Sequence, residues 1–400
     1  MAKTQSDPAA VAAFLERNAV ESLPAGSLLE VLEIAGKDGR ELRVKLGIDP
    51  TAPDIHLGHV VVLQKLREFQ DAGHLVVLII GDFTARIGDP SGQSVLRPML
   101  ERDEIGRNAL TFQQQAFKVL DPDRIEVRHN SEWLDMGMTD LLALLRRVTV
   151  ARVLERDDFQ GRIAEGKPIS MLELLYPVMQ GYDSVAIHAD VELGGTDQKF
   201  NLLLGRDVQA AYDQRSQAIL TMPILPGTDG DRRMGKSLGN HIGVTEPPEE
   251  MFGKLMRVPD SAMATYYELL LVEELDPLVP AVESKRALGR RIVERFHGAE
   301  AGDEAERHFD RLHKEHKPPE QIDEVTLAST DLTDGSVHLP ALLESHFGVS
   351  RSEARRLLEQ GAVKLDGQPL GGDQIDIEAS RLDGAVLQVG KRKFRRVRSV

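Results

Sequence analysis

Apolar and polar positions follow two rhythms along the first half of the chain, and each change of rhythm marks an element. "LRVKLGID" (Leu42 to Asp49) and "HLVVLIIGD" (His74 to Asp82) are short, nearly continuous apolar runs, the pattern of strands covered on both faces. Between them, "HLGHVVVLQKLREFQDAG" has apolar residues at helical spacing and stops at Gly73. Further strands are predicted in "RIEVRHN", "VAIHADVELGG" and "AILTMPIL", and an opening helix from about Pro8 to Asn18. This alternation predicts an α/β fold: a doubly wound, Rossmann-like parallel sheet over residues 1–245, with a helical insertion. Ligands of such sheets bind beyond the carboxyl ends of strands, so the loops after Asp49, Asp82 and Gly195 are the places to look.

Past "VTEPPEE" the pattern turns helical, giving a helical domain over residues 246–318. "HKPPEQIDEVTLASTDLTDGSV" mixes prolines, acids and small polar residues and reads as a linker, bounded at 319–336. The remainder, 337–400, reads as a small α+β module: two short helices, then a hairpin turning at Asp366-Gly367.

Composition narrows the class. The chain has 400 residues, 41% hydrophobic and 28% charged, an ordinary globular balance with room for two or three domains. No apolar run reaches the roughly 18–20 residues that span a bilayer, and "MAKTQSDPAA" lacks the order of a signal peptide, so a cytoplasmic protein without membrane contact is expected. The absence of cysteine excludes disulfides, thiolate metal sites and a cysteine nucleophile.

Net charge is −15, which opposes nonspecific nucleic-acid binding by the whole surface. The last 64 residues carry 11 Lys+Arg against 8 Asp+Glu, or +3, leaving −18 on the rest. "GKRKFRRVRSV" concentrates six of those basic residues: a local site for a polyanion, or a solvated tail.

"GDRRMGKS" (Gly230 to Ser237) matches the P-loop pattern letter for letter. A working P-loop needs a strand directly before it and a helix opening at the Lys-Ser pair. Here "PGTD" intervenes after the strand, and "LGNHIGVTEPP" follows, with two glycines and two prolines; it cannot be a stable helix. The segment is therefore not a P-loop but a loop carrying Arg232, Arg233, Lys236 and Ser237, good phosphate ligands on a flexible support, or a plain surface turn.

"DPTAPDIHLGHV" sets His56 and His59 three apart at the opening of a helix that Asp54 can cap, with Gly58 between them allowing close approach. A zinc pair or purely structural histidines are the alternatives. Downstream, "YPVMQGYD" places Tyr176, Gln180 and Asp183 on one helical face beside Leu172, Leu175 and Met179, which suits a pocket wall. "GGTDQKFN" and "GDFTARIGDPSG" offer Gly195, Asp197 and Gln198, and Thr84 and Asp89, after strands.

His-Leu-Gly-His after the first strand and Arg-Met-Gly-Lys-Ser after the last resemble the HIGH and KMSKS pair of class I aminoacyl-tRNA synthetases. Leu57, Arg233 and Gly235 are mild departures. "GIDPTAPDIHLGH", "GDFTARIGDPSG", "YPVMQGYDSV", "ELGGTDQKFN" and "RMGKSLGN" resemble the bacterial tyrosyl-tRNA synthetase family closely, from about residue 40 to 245. "SRSEARRLLEQGAVKLDGQPL" resembles a small RNA-binding module shared with a ribosomal protein.

The resemblance implies roles position by position. Asp89 would take the tyrosine ammonium, assisted by Tyr176 and Gln180, with Thr84 and Gly47 in the same pocket; Asp183 would bond the phenol hydroxyl and Gln198 lie near the carboxylate. Asp49, Gly58, Gly195 and Asp197 would contact ATP. Thr51, His56 and His59 would meet its phosphates while Arg233, Lys236 and Ser237 close over pyrophosphate. Arg351, Arg355, Arg356, Lys391, Arg392 and Lys393 would meet tRNA. Lys45 departs from the better-known branch, which carries a tyrosine there that also contacts the phenol; whether Lys45 touches substrate is open.

The implied activity activates L-tyrosine with ATP to tyrosyl-adenylate and pyrophosphate, then transfers tyrosyl to tRNA(Tyr). Mg²⁺ would come with ATP, with no protein-bound metal, and the family implies a homodimer. Neither step needs a nucleophilic side chain, so catalysis would be positioning plus charge stabilisation, each preorganised donor worth on the order of 3 kcal/mol. Tyrosine-activating enzymes of this kind reject phenylalanine by ~10⁵ without editing, a property of the enzyme class rather than a quantity obtained for this chain.

Overall fold

The apolar runs become the central strands of a six-stranded sheet. The strands are β1 (Glu21–Leu23), β2 (Arg43–Ile48), β3 (Leu75–Ile80), β4 (Ile125–His129), β5 (Val191–Gly195) and β6 (Ala218–Met222), in the order β1-β6-β5-β2-β3-β4. β2 to β6 run parallel, and β1 lies antiparallel on the β6 edge. The structure is a computed structural model that describes residues 7–51, 54–90, 101–314, 322–328, 332–333, 335–390 and 393–398.

Val76, Val77, Leu78 and Ile79 of β3 are fully buried, as their unbroken apolar run requires in a sheet covered on both faces. The run "VAIHADVELGG" divides. Its first residues finish the helix Met171–Ala186, the chain turns through His188 at φ 51°, and β5 begins only at Val191. A short apolar run cannot by itself distinguish a buried helix end from a strand.

Strand order reverses between β2 and β5, the switch point where doubly wound sheets open a crevice. β2 pairs with β3 along its whole length, but with β5 only at Val44↔Val191 and Lys45↔Glu192. Beyond that rung Leu46 and Gly47 on one strand, and Leu193 and Gly194 on the other, line a cavity instead of a ladder.

The chain forms two compact units, Met1–Gly298 and Ala299–Val400. The helices Pro248–Leu255 and Ala281–His297, expected in a separate helical domain over 246–318, belong to the first unit. They pack through the Phe252 ring on Gly289, where a Cβ would come within 2.8 Å of the ring. The helix Ala301–His313 belongs to the second unit.

The second unit corrects the expected linker at 319–336. Glu324–Thr326 is a strand pairing parallel with Lys393–Arg398, and Leu332–Thr333 pairs with Ser336–His338. Val325 and Leu327 are buried, so this polar-looking stretch contributes apolar residues to the module's interior. The basic stretch is likewise not a frayed tail within its described part: Lys393–Arg398 sits between Val386–Val389 and Glu324–Thr326. The helices Leu339–Phe347 and Arg351–Glu359 precede a hairpin, Val363–Leu365 with Gln368–Pro369. Its turn holds Asp366 and Gly367 at φ 47° and 82°, the pair of positive values a type I′ turn demands.

Candidate active site

β2 hands the chain to the helix Leu57–Asp71, whose N-cap is His56 and not Asp54. The His56 backbone N–H donates to His59 Nδ1 at 3.2 Å, while Asp54 is drawn to Lys236 Nζ, also at 3.2 Å. A cation opposite the loop therefore competes successfully for the residue expected to cap the helix. The imidazole centroids are 3.9 Å apart. Because His59 Nδ1 accepts, its proton lies on Nε2 in the neutral ring. Burial, the neighbouring His59 and His241, and Lys236 push His56 down to about 2; burial and Lys236 push His59 down to about 4. Both rings are thus neutral near pH 7, able to donate to phosphate oxygens without losing a proton. His56 Nδ1 is buried and has no hydrogen-bond partner among the described residues.

The opposite end of the cavity is acidic. Asp49, at the end of β2, accepts from Thr84 Oγ1 at 2.7 Å and from the Tyr176 hydroxyl at 2.9 Å. Gly81 permits this arrangement: a Cβ there would lie 2.0 Å from Asp49 Oδ1 and 2.5 Å from Thr84 Oγ1. Burial, reinforced by Asp89 and Asp183 and opposed by these two donors, raises Asp49 to about 7. Tyr176 therefore faces Asp49 in this structure.

Asp183 is buried on the same helix face. It accepts from Trp133 Nε1 at 2.8 Å and from Asn130 Nδ2 at 3.4 Å, and Asn130 also donates to Thr84 Oγ1 at 2.9 Å. Burial lifts Asp183 to about 6, against the opposing pull of Lys45, Trp133 and Asn130. Asn130 and Trp133 are functional neighbours that the sequence reading passed over. The strand-end rule applied to the loop after His129, as to the other strands, would have found them.

Past β5, Gln198 Nε2 donates to Asp89 Oδ2 at 2.7 Å, and Asn201 Nδ2 bridges Gln180 Oε1 at 2.9 Å and Gln198 Oε1 at 3.0 Å. Arg156, buried, approaches Asp89 at 3.5 Å. Asp197 lies 3.9 Å from Arg233, and burial holds its carboxyl above the usual range.

The loop "RMGKS" is pinned by one buried residue. Asn240 Oδ1 accepts from the Gly235 N–H at 2.9 Å, and its Nδ2 donates to Asp229 at 3.0 Å and to the Arg233 carbonyl at 3.1 Å. After Lys236–Leu238, a single 3₁₀ turn, the chain enters the αL conformation at Gly239. No phosphate-binding helix follows, as the glycines and prolines require.

Every residue to which the resemblance gives a role toward tyrosine, ATP or phosphate lines one cavity of about 570 Å³; Arg232, the other cation of the loop, does not, and pairs with Asp229 at 2.9 Å. Its carboxylates gather around Asp49, Asp89 and Asp183, and its histidines and the Arg233–Lys236 loop form the other wall. Lys45 is not among the lining residues. It is fully buried behind the pocket, paired with Glu192 at 2.7 Å. In the second unit, Arg351, Arg355 and Arg356 are exposed on one helix, and Lys393 Nζ is engaged by the Phe347 carbonyl at 2.6 Å. Lys391 and Arg392 lie outside the described residues.

Comparison with known proteins agrees with this geometry. Residues 37–314 match the tRNA synthetases class I (W and Y), and residues 339–371 match the S4 domain. A tyrosine–tRNA ligase of Moorella thermoacetica is 48% identical over 408 residues, 99% of this chain and 97% of the relative. One of Bordetella avium is 50% identical over 370 residues, 90% and 89% of the two chains. The crystal structure of tyrosyl-tRNA synthetase complexed with L-tyrosine from Archaeoglobus fulgidus superposes with a TM-score of 0.61 at 23% identity, covering 74% of this chain and 99% of that one, a likeness of fold. On its matched span, its sheet and its paired motifs, the chain belongs to the class I tRNA synthetases of the tryptophan and tyrosine (W and Y) family.

Proposed function

We propose that the chain is a tyrosine–tRNA ligase, and that the cavity performs both of its steps. The observation that carries the choice of amino acid is Asp183: a buried carboxyl that lines the cavity and is held by Trp133 and Asn130, leaving lone-pair capacity for a phenol hydroxyl. Phenylalanine would strand that buried acceptor, the kind of penalty that gives strong discrimination. Asp89 and Asp49 supply negative charge for the substrate ammonium, with Asn201 fixing the neighbouring amides of Gln198 and Gln180.

In the first step a tyrosine carboxylate oxygen attacks the ATP α-phosphorus, and the bond to the bridging oxygen of pyrophosphate breaks. Neutral His56 and His59, with Thr51, donate to phosphate oxygens; Arg233, Lys236 and Ser237 offset charge growing on the leaving group. Asp197 and Gly195 meet the ribose, with Gly58 and Gly47 giving close approach. Mg²⁺ arrives as part of the ATP substrate. In the second step a hydroxyl of the terminal tRNA ribose attacks the tyrosyl carbonyl carbon and AMP departs.

The second unit binds tRNA(Tyr) through Arg351, Arg355 and Arg356, helped by Lys393. A homodimer in the cytoplasm completes the reading. Exposed Met138, Leu142, Val150, Ile163 and Met171 in the helical insertion favour self-association, and no described helix is long and apolar enough to cross a membrane. Charging of tRNA with radiolabelled tyrosine, ATP and Mg²⁺ tests the whole: tyrosyl-tRNA must form, and its absence under conditions where adenylate forms would remove the transfer step.

A further inference from the structure

Lys45 and Glu192 are direct partners on the last rung that joins β2 to β5, immediately before the crevice opens. Both side chains are essentially inaccessible, at 0% and 1% exposure, and their charged ends are 2.7 Å apart. Two full charges at the root of a ligand cavity are costly to bury, and hydrophobic replacements of such a pair are often neutral or stabilising. Stability alone gives no reason for the pair.

Its contacts supply one. Lys45 Nζ donates to the Gln180 carbonyl at 2.9 Å and to Ser184 Oγ at 2.8 Å. Those residues bracket Asp183 on the helix Met171–Ala186, and the Gln180 side chain itself lines the cavity. Glu192 grips the same turn through Ser184 Oγ at 3.2 Å and is held from behind by Gln217. The ion pair thus ties the turn carrying Asp183 to the two strands between which substrate would lie.

We propose that Lys45 and Glu192 form a positioning pair for amino-acid selection: they set the depth and the charge of Asp183 without touching substrate. This rests on the reading of Asp183 as the group that recognises the phenol hydroxyl. The charged and titratable groups facing Asp183 are Lys45 from β2, Glu192 from β5, Asp49 from the β2 end, and Tyr176 two turns back on the same helical face. Of these, the ammonium alone favours the carboxylate form, and it opposes the burial that raises Asp183. Glu192 pulls the other way with the weaker effect, so the net influence of the pair on the carboxyl follows Lys45.

The test is the double variant Lys45→Met/Glu192→Gln, which removes both charges and leaves an amide for Ser184 and Gln217. Amino-acid-dependent pyrophosphate exchange is measured for tyrosine and phenylalanine across pH, with thermal melting to confirm a folded protein. The preference for tyrosine in kcat/KM is expected to fall by on the order of tenfold, the scale of coupling between contacting residues. The acid limb of kcat/KM for tyrosine is expected to move to higher pH, with KM for ATP unchanged. A purely structural pair would lower melting temperature without moving that limb. Asp183→Asn is run alongside. If it collapses the preference while the double variant changes neither preference nor acid limb, the positioning role is overturned. If Asp183→Asn itself leaves the preference intact, the reading of the pocket fails and this inference with it.

Discussion

The indole of Trp133 donates to Asp183 Oδ1 across 2.8 Å, from the short helix Ser131–Leu134 after β4 to the last turn of the helix Met171–Ala186. Asp183 is buried and Trp133 half-buried, so the bond to the carboxylate is charge-assisted and its loss leaves a buried acceptor uncompensated. Trp133→Phe keeps the aromatic bulk and deletes the donor. Its preference for tyrosine over phenylalanine should fall about tenfold or more, given ~1.5–3 kcal/mol for a hydrogen bond to a charged group. The acid limb of kcat/KM should also move upward from the region of pH 6 set by Asp183. Pyrophosphate exchange with both amino acids checks both effects.

Asp49 bears on stability in the opposite sense to a salt-bridged carboxylate. Its folded value, about 7, lies above its ordinary value of 3.8, so the native state binds the proton more tightly than the unfolded state. Stability from this group is highest below its unfolded value and is lost as pH rises through about 7. Buried His56 and His59, held below their ordinary value, act in the opposite sense, so the difference is what isolates Asp49: the melting midpoint of the wild type relative to Asp49→Asn should decline from pH 5 to pH 8, and the variant should impair activation. A difference between wild type and variant that does not fall over that interval would contradict the assignment.

Lys236 sits on the cavity wall beside the histidines, its ammonium 3.2 Å from Asp54. Lys236→Ala should slow adenylate formation by roughly 10²–10³-fold, as for loss of one preorganised donor, and barely alter tyrosine affinity. Asn240→Ala, which unpins Gly235 and the Arg233 carbonyl, should act in the same direction more weakly. Single-turnover kinetics with equilibrium tyrosine binding separates the two quantities.

Arg351, Arg355 and Arg356 project from one short helix, the first and third in surface ion pairs with Glu344 and Glu353. Such exposed pairs are weak, so the guanidinium groups remain available to phosphates. Replacing all three by glutamate should depress tRNA charging at least tenfold and leave pyrophosphate exchange unaltered. Equal losses in both assays would remove the helix from the tRNA surface.

Much of this site is legible in the chain because its chemistry is local. The His56–His59 spacing, the Tyr176–Gln180–Asp183 face and the glycine turn after β5 each lie within one element, and strand ends direct them to one crevice. Three features are not local, and they escaped. Asp54 leaves the helix N-terminus for Lys236, a partner remote in sequence. Within the stretch expected as a linker, Glu324–Thr326 lacks the length or alternation of a strand and is set by pairing with Lys393–Arg398, and Leu332–Thr333 by pairing with Ser336–His338. Lys45 reads as an interruption of an apolar strand until Glu192 is found on the adjoining rung.

The most direct measurement is tyrosine-dependent exchange of pyrophosphate into ATP by the full chain, with phenylalanine and tryptophan as parallel substrates. Strong exchange with tyrosine, and loss of its advantage over phenylalanine in Asp183→Asn, is the expected result. Equal exchange with phenylalanine or tryptophan in the wild-type chain, or a preference untouched by Asp183→Asn, would contradict the assignment of this cavity to tyrosine.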